Sequence, residues 1–100
     1  MTEHEAKAAL LDCRSRIDVV DRRLVALLNE RTRIVEEIGR IKRQMRMPIY
    51  EPKREDEVFA NATGANPGPL TPEAVRRIFE RIIDEMRVVQ KHKMEKESQC

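Results

Sequence analysis

The stretch "ALLNERTRIVEEIGRIK", residues 26–42, has the pattern of an amphipathic helix whose apolar face is interrupted by one charge. Apolar residues recur at alternating intervals of three and four, which predicts a helix that packs along one face against a second helix. Arg31 is the only charged residue on this face, where a packed helix normally has an apolar side chain. We call this face the apolar seam, and it comprises Leu10, Cys13, Ile17, Val20, Leu24, Leu27, Arg31, Ile34, Ile38, Ile41 and Met45.

The helix that carries the apolar seam is long for a chain of 100 residues. From about Glu5 to Met45 the sequence has no proline, and Gly39 is the only glycine, so we expect one uninterrupted helix. Such a helix is about 60 Å long, whereas a compact chain of this size has a radius of gyration of about 13 Å. The chain therefore cannot cover its own seam, and a second copy related by two-fold symmetry is the simplest cover.

Two prolines separate the long helix from a second, shorter one. Pro48 restricts the preceding residue and ends the first helix, and Pro52 suits the first position of a new helix with Glu51 near its cap. One face of this helix mixes charged and apolar groups, so it is either half-buried at the surface or the wall of a polar cavity. That face comprises Glu51, Arg54, Glu55, Val58 and Phe59. Residues 61–69, "NATGANPGP", have the composition of a loop.

A third helix is predicted to begin after this loop. Thr71 is a favourable cap residue, and Pro72 suits the first turn. Gln90 flanks the apolar stripe one turn after Met86, and we expect a frayed, charged tail from about Lys91. The stripe itself comprises Val75, Ile78, Phe79, Ile82, Met86 and Val89.

These patterns predict an all-α chain with one long, one short and one medium helix and no internal repeat. We expect a single domain over residues 1–100, with an ordered core over about residues 8–92 and a charged tail over residues 93–100. A chain of this length can build only a modest core.

Charge and composition exclude several classes of function. Lys and Arg number 20 against 18 Asp and Glu, and the signs alternate along the helices, so we expect no nucleic-acid partner. No apolar run reaches the roughly 20 residues of a membrane span, and no secretory leader is predicted. Cys13 and Cys100 are poorly placed for a disulfide, which favours a reducing, cytoplasmic location. His4 and His92 lie far apart in the sequence, so no metal site is expected.

Arg31 and Lys42 are predicted to share one side of the long helix. They are eleven residues apart, and eleven steps of about 100° return to within roughly 20° of the same direction. Their Cα atoms are then about 16 Å apart along the axis, which leaves room for a small anion held at both ends. Arg14 is beyond reach of this place from its own helix, so only an antiparallel partner helix would bring it there.

A purely structural explanation also exists for each of these polar residues. Arg31 would fit a device that fixes the register of a helix pair, or its head group would extend into water, and Lys42 would simply be solvated. Arg54 and Glu55 would form an exposed helix face, and Gln90 a polar rim. Because each of the three helices places polar residues beside its apolar stripe, a shared pocket is favoured over these separate explanations.

The polar set suits a small dicarboxylate ligand. Guanidinium groups bind carboxylates through two parallel hydrogen bonds, and a desolvated cation needs an anionic partner. Neither Ser15 nor Cys13 has a positioned base, so a covalent intermediate is not expected. A reaction that needs only orientation and charge stabilisation fits better. The cations of the set are Arg14, Arg31, Lys42 and Arg54.

Four segments of the chain together match the sequence pattern of a known family. They are "R..ID..D..L..LL.ER" from Arg14 to Arg31, "EEIGRIK" ending at Lys42, "PIYEPKRE" ending at Glu55 and "IFERIIDEMRVVQ" ending at Gln90. In this order and spacing the chain resembles the all-helical, AroQ-class chorismate mutases, which convert chorismate to prephenate in aromatic amino-acid biosynthesis. The resemblance implies an intertwined homodimer of three-helix chains whose sites are shared between chains, with chorismate as the small-molecule partner and no cofactor.

The resemblance also implies roles for the cationic residues. Arg31, together with Arg14 of the partner subunit, would hold the two carboxylates of the substrate. Lys42 and Gln90 would bond the ether oxygen, where negative charge grows as the carbon–oxygen bond breaks. For this role the amide of Gln90 must present its NH₂ group.

The remaining site residues follow from the same resemblance. Glu55 would accept the substrate hydroxyl, with Glu51 nearby, and Arg54 would complete the cationic wall. Family members often carry a small hydroxyl residue where this chain has Met86, and a shorter Asp in place of Glu51. A lost hydroxyl contact would cost about 1 kcal/mol, which weakens affinity more than it abolishes the reaction.

Two other functions remain as alternatives. An isochorismate pyruvate lyase has the same fold and a cationic pocket, but the examples known to us lack a glutamate at the position of Glu55. A non-catalytic dimerisation or regulatory module would retain the apolar seam and would use the pocket only to bind an effector.

Overall fold

The structure is a computed structural model, and it describes residues 1–98, with the backbone alone for residues 94–98. Three helices and no strand occupy this part of the chain: α1 over Glu3–Met45, α2 over Pro52–Gly64 and α3 over Pro72–Ser98. The prediction of an all-α chain with one long, one short and one medium helix is confirmed. Within the described residues, no helix is both long enough and apolar enough to cross a membrane.

The chain divides into two compact units, Met1–Arg33 and Ile34–Cys100, and α1 contributes to both. The first unit is a single stretch of α1, so it has no second element of its own against which to pack. Its apolar seam is accordingly exposed, with the side chains of Leu10 and Leu27 50% and 61% accessible to solvent. An exposed seam is what the length of the helix predicts for one chain alone.

The second unit builds a small core from the end of α1, from α2 and from α3. On α1, the buried positions Val35, Gly39 and Lys42 are spaced by four and three residues and so share one side of the helix. A Cβ at Gly39 would lie 3.6 Å from the Cα atom of Gln90, so the backbones of α1 and α3 approach closely at this glycine. The apolar core side chains are Val35, Phe59, Val75, Ile83 and Met86.

In the second unit α1 has a buried face and, separately, the apolar seam. Ile34 and Ile41 belong to the seam and are 54% and 51% exposed, whereas Val35, next to Ile34 in sequence, is buried. Periodicity in the sequence indicates the seam but not the buried face, because Gly39 and Lys42 interrupt the apolar pattern of that face. The buried face determines how the site is built.

The turn after α1 reverses the chain beside Lys42. Arg46 has a left-handed backbone conformation with φ of 53°, and the N–H of Met47 donates to the carbonyl of Lys42 at 2.8 Å. Together with the bond from the N–H of Arg46 to the carbonyl of Arg43, this pattern is a Schellman motif that satisfies the last carbonyls of the helix. The segment that follows, through Pro48, returns along the end of α1.

The connection between α2 and α3 differs from the sequence prediction. Residues 61–64 continue α2 to Gly64, although their composition indicated a loop from Asn61. The hydroxyl of Thr63 donates to the carbonyl of Phe59 at 2.8 Å, so this polar residue is accommodated within the helix. The start of α3 is as predicted, since the Thr71 hydroxyl accepts a hydrogen bond from the N–H of Ala74 at 3.1 Å.

The apolar stripe of α3 also needs correction. Ile78 was predicted to face inward but is 49% exposed, and Ile83, which was not included, is buried at 7%. The buried face of α3 is set by where its neighbouring helices contact it, and it includes Ile83 but leaves Ile78 outside. The backbone is helical through Ser98, whereas a frayed tail was predicted from about Lys91, and the end of that tail, including Cys100, lies outside the described residues.

Candidate active site

Lys42 carries a buried ammonium group on the inner face of α1, with a side chain that is 7% exposed. Its Nζ atom donates to the backbone carbonyl of Ile49 at 2.9 Å and to Oε1 of Gln90 at 3.1 Å. It also pairs with Oε1 of Glu51 at 2.7 Å. An ammonium group has three N–H donors, so these three oxygens satisfy it completely, and the Glu51 carboxylate balances its charge.

The turn after α1, the start of α2 and the helix α3 each contribute one part of this arrangement. The Schellman motif turns the chain back so that the carbonyl of Ile49 reaches Lys42. Glu51 occupies the cap position of α2, but its side chain makes no capping hydrogen bond and pairs with Lys42 instead. Gln90 reaches Lys42 from α3, whose backbone at Gln90 lies 3.6 Å from the place of a Cβ at Gly39. We call Lys42, Ile49, Glu51 and Gln90 the lysine cluster.

The contact with Lys42 determines the orientation of the Gln90 amide. A lysine can only donate hydrogen bonds, so the oxygen of the amide must face Lys42, and the NH₂ group is directed away from it. Gln90 as a whole is only partly buried. The role that the resemblance gives to Gln90, donation from its NH₂ group to the substrate, stays a prediction.

A second polar pair joins α2 to α3. The guanidinium of Arg87 donates from Nε to Oε2 of Glu55 at 2.9 Å, and Nη2 of Arg87 donates to Oε1 of Glu55. The guanidinium also lies 5.2 Å from the centre of the Tyr50 ring and 3.4 Å from Asp84. The hydrogen bond with Glu55 raises the pKa of the Arg87 guanidinium, which therefore stays charged across the pH range in which proteins function.

The lysine cluster and the Glu55–Arg87 pair are neighbours. Glu51 precedes Glu55 by one helical turn, and the N–H of Glu55 donates to the carbonyl of Glu51 at 3.0 Å. On α3, Arg87 precedes Gln90 by three residues, which is about 4.5 Å along the helix axis. Two carboxylates and two cations thus alternate across the junction of the helices, so each negative charge has a positive partner.

Arg87 was not among the residues proposed from the sequence. It follows Met86 directly and lies within one turn of Gln90. This closeness to two proposed site residues was the one feature of the sequence that pointed to Arg87. Its partner Glu55 is 32 residues away, and nothing in a single sequence connects the two. The pairing depends on how α2 packs against α3.

Two further residues were proposed on α2 and α3. Arg54 is exposed and pairs with Glu57 on its own helix at 3.1 Å, which makes it a surface pair rather than a member of the lysine cluster. Met86 is 7% exposed and belongs to the core of the second unit. Arg54 would need a different side-chain conformation to reach a ligand beside Glu55.

Arg14 and Arg31 belong to the first unit, where Arg14 is exposed and Arg31 partly buried on α1. Their positions relative to a substrate stay a prediction. Among the residues that the structure describes, no three His, Cys, Asp or Glu side chains are grouped as a metal ion would require.

The chain is similar in sequence and in fold to known chorismate mutases. A family model for chorismate mutase type II matches residues 13–91. A curated relative, the bifunctional chorismate mutase/prephenate dehydratase of Aquifex aeolicus, is 36% identical over an alignment of 78 residues, which covers 74% of this chain and 22% of that protein. The chain thus spans about a fifth of the length of the bifunctional relatives it matches.

Two solved structures have the same fold. Chorismate mutase (form II) of Thermus thermophilus is 37% identical, with a TM-score of 0.81 over 83% of this chain and 94% of that one. Chorismate mutase of Helicobacter pylori, solved in complex with prephenate, is 28% identical, with a TM-score of 0.81 over 88% of this chain and 96% of that one. With its three helices and a family match over most of its length, this chain belongs to the chorismate mutase type II family.

Proposed function

We propose that this chain catalyses the rearrangement of chorismate to prephenate. Family membership supports the proposal, as do the names of the relatives. In this reaction the ether carbon–oxygen bond of the substrate breaks while a carbon–carbon bond forms within the same molecule. Atoms and electrons balance without a proton, water or cofactor, so a catalyst needs only to hold the folded conformer and to stabilise developing charge.

The orientation of Gln90 carries the proposal. Negative charge grows on the ether oxygen in the transition state, and a fixed donor directed at that oxygen stabilises it more than the ground state. Lys42 holds the oxygen of the Gln90 amide, which leaves the NH₂ group as such a donor. Because the amide is already oriented before substrate arrives, no energy of reorganisation is spent at the moment of reaction.

Lys42 would be the second donor to the ether oxygen. All three of its N–H groups already have acceptors, so the substrate must replace one of them. Glu51 is the acceptor that can leave, because its side chain is about half exposed and water would solvate the released carboxylate. We therefore expect Glu51 to move away from Lys42 when the anionic substrate binds.

Glu55 would accept a hydrogen bond from the substrate hydroxyl. Its side chain is only 19% exposed, and its charge is balanced by Arg87. A carboxylate has about four lone-pair sites, so the two contacts from Arg87 leave acceptor capacity for a hydroxyl. In our proposal Arg54 turns from Glu57 towards the substrate, and Met86 contributes packing behind the site.

Arg31 and Arg14 of the partner subunit would hold the two carboxylates. This part of the proposal rests on the family resemblance and on the exposed apolar seam, which a second copy would cover. The seam side chains that are at least half exposed are Leu10, Ile17, Leu24, Leu27, Ile34, Ile41 and Met45. We propose a homodimer in which each chain completes the site of the other.

The direct test is an assay of the purified protein with chorismate. We expect the ultraviolet absorbance of chorismate to fall faster than in buffer, and prephenate to accumulate in equal amount by chromatography. A rate equal to the buffer background would overturn the enzyme proposal and would favour a non-catalytic module. Salicylate and pyruvate formed from isochorismate as the preferred reaction would support the lyase instead.

A further inference from the structure

We propose that Arg87 is a positioning residue that fixes the Glu55 carboxylate for the substrate hydroxyl, an inference that rests on the proposed function. Two hydrogen bonds join the guanidinium to the two oxygens of Glu55. Such a bidentate contact determines both the plane of the carboxylate and its distance from α3. A lone glutamate side chain would sample several rotamers instead.

Arg87 is itself held by other groups. The Tyr50 ring lies against the guanidinium, with 5.2 Å between the ring centre and the central carbon of the group. Asp84, one turn earlier on α3, lies 3.4 Å from Nη1 of Arg87. With Glu55, Tyr50 and Asp84 as neighbours, the guanidinium has little freedom, so the orientation of Glu55 is restricted in turn.

Arg87 also balances a repulsion between carboxylates. Glu51 and Glu55 are one helical turn apart, and like charges at this spacing repel each other. Lys42 compensates Glu51, and Arg87 compensates Glu55. When substrate displaces Glu51 from Lys42, the contact with Arg87 keeps Glu55 in place, although a free carboxylate is then close by.

This arrangement limits what Glu55 can bind. The guanidinium fork occupies two acceptor positions of the carboxylate, and the remaining positions can only accept hydrogen bonds. A ligand group beside Glu55 must therefore be a donor, such as a hydroxyl, and a second carboxylate is disfavoured. Arg87 acts through Glu55 in this proposal and does not itself contact the reacting atoms.

The test combines variants of both residues. We compare the wild-type chain with Arg87→Met, Glu55→Gln and the double variant, using kcat and KM for chorismate. Arg81→Met is the matched control, because Arg81 lies on the same helix and pairs with Glu85 at the surface at 2.9 Å. Circular dichroism reports whether each variant is folded.

We expect Arg87→Met to lower kcat/KM by roughly tenfold or more, the size of a lost charge-assisted hydrogen bond, mainly through a higher KM. The double variant should be no worse than Glu55→Gln, because Arg87 has no effect once its partner carboxylate is absent. Arg87→Lys should restore part of the loss, since lysine keeps the charge but not the fork. Arg81→Met should behave as the wild type.

Three results would overturn the inference. The first is an Arg87→Met variant that matches Arg81→Met in kcat/KM. The second is a double variant whose loss is the product of the two single losses, which means that the residues act independently. The third is a lower kcat at unchanged KM, which indicates fewer folded molecules. If Arg87→Met does not fold, kcat and KM are compared in the same way for Arg87→Lys. An inactive wild-type chain would overturn the proposed function itself, so the two failures are distinguishable.

Discussion

Lys42 donates a hydrogen bond of 3.1 Å to the amide oxygen of Gln90, across 48 residues of sequence. This contact determines which end of the amide faces outward, because lysine has no acceptor. The same lysine is held by the carbonyl of Ile49 and by Glu51, so the orientation of the amide depends on a group that is itself fixed. A donor for the ether oxygen is therefore oriented before substrate binds.

The first prediction concerns Gln90→Glu. The glutamate keeps an oxygen for Lys42, but its ionised form has no proton to donate, so kcat should fall by about 10²-fold or more at neutral pH. The protonated acid has an O–H donor, so activity should rise as the pH is lowered. Stopped or continuous assays between about pH 5 and pH 8 measure this slope.

The matched control for that experiment is Gln90→Met, which has neither donor nor acceptor. Its activity should stay low at every pH, and the wild-type amide does not titrate. If Gln90→Glu is equally active at all pH values, the amide is not the donor that the lysine cluster implies.

The second prediction concerns Lys42→Met. Methionine fills the volume of the buried side chain but removes the charge and the contact that orients Gln90, so kcat should fall by about 10²–10³-fold. The free energy of unfolding should fall by about 1–3 kcal/mol, because the part-buried oxygens of Ile49 and Gln90 lose their donor, whereas the half-exposed Glu51 can return to water. Lys53→Met on the exposed side of α2 is the control and should retain wild-type kcat. Similar activity in the two variants would contradict the role of Lys42.

The third prediction concerns Arg31→Ala. Loss of a guanidinium that binds a carboxylate should lower kcat/KM about 10–100-fold, whereas thermal unfolding should change much less. Arg33→Ala, two residues further along the same helix and exposed, is the control. A severe loss of thermal stability in Arg31→Ala, with little change in kcat/KM of the folded fraction, would support the interpretation as a register device.

The fourth prediction tests sites shared between chains. Arg14→Ala and Lys42→Met should each be nearly inactive alone, because each removes a different part of every site. After subunit exchange, one site of a mixed dimer would contain both wild-type residues, so about a quarter of the wild-type activity should return when half of the dimers are mixed. Exchange demonstrated by mass spectrometry without recovered activity would exclude the shared site.

The fifth prediction concerns the turn after α1. Arg46 has a φ of 53°, a conformation that costs an L-residue with a side chain about 1 kcal/mol or more. Arg46→Gly relieves this strain but increases the freedom of the unfolded chain, so the free energy of unfolding should rise by about 0.5–1 kcal/mol. Arg46→Ala retains the strain and should show no such gain in urea unfolding. Equal stability of the two variants would contradict the left-handed turn.

Local patterns in the sequence predicted most of the secondary structure. The absence of proline from Glu5 to Met45 and the Thr71–Pro72 start of α3 are local signals, and the structure agrees with both. The prediction was wrong at residues 61–64, where turn-forming residues continue α2 because Thr63 donates to a carbonyl of its own helix. Composition alone does not show whether a helix that has already formed extends by one more turn.

Packing between helices was harder to predict. Ile83 is buried and Ile78 exposed, against the expected stripe, because the buried face of α3 depends on where α1 and α2 contact it. Arg87 was not predicted as a site residue for the same reason, since its partner Glu55 is on another helix. Periodicity identifies an apolar face, but it does not identify the neighbour that covers it.

Local sequence patterns are enough to predict three helices, an apolar seam too long for one chain to cover, and a set of polar residues that includes Lys42, Glu55 and Gln90. The packing of the helices gives Lys42 its three acceptors, directs the NH₂ group of Gln90 away from it, and joins Arg87 to Glu55. Helix formation depends on residues three and four apart, whereas these contacts join groups between 7 and 48 residues apart. Their geometry exists only after the helices have packed.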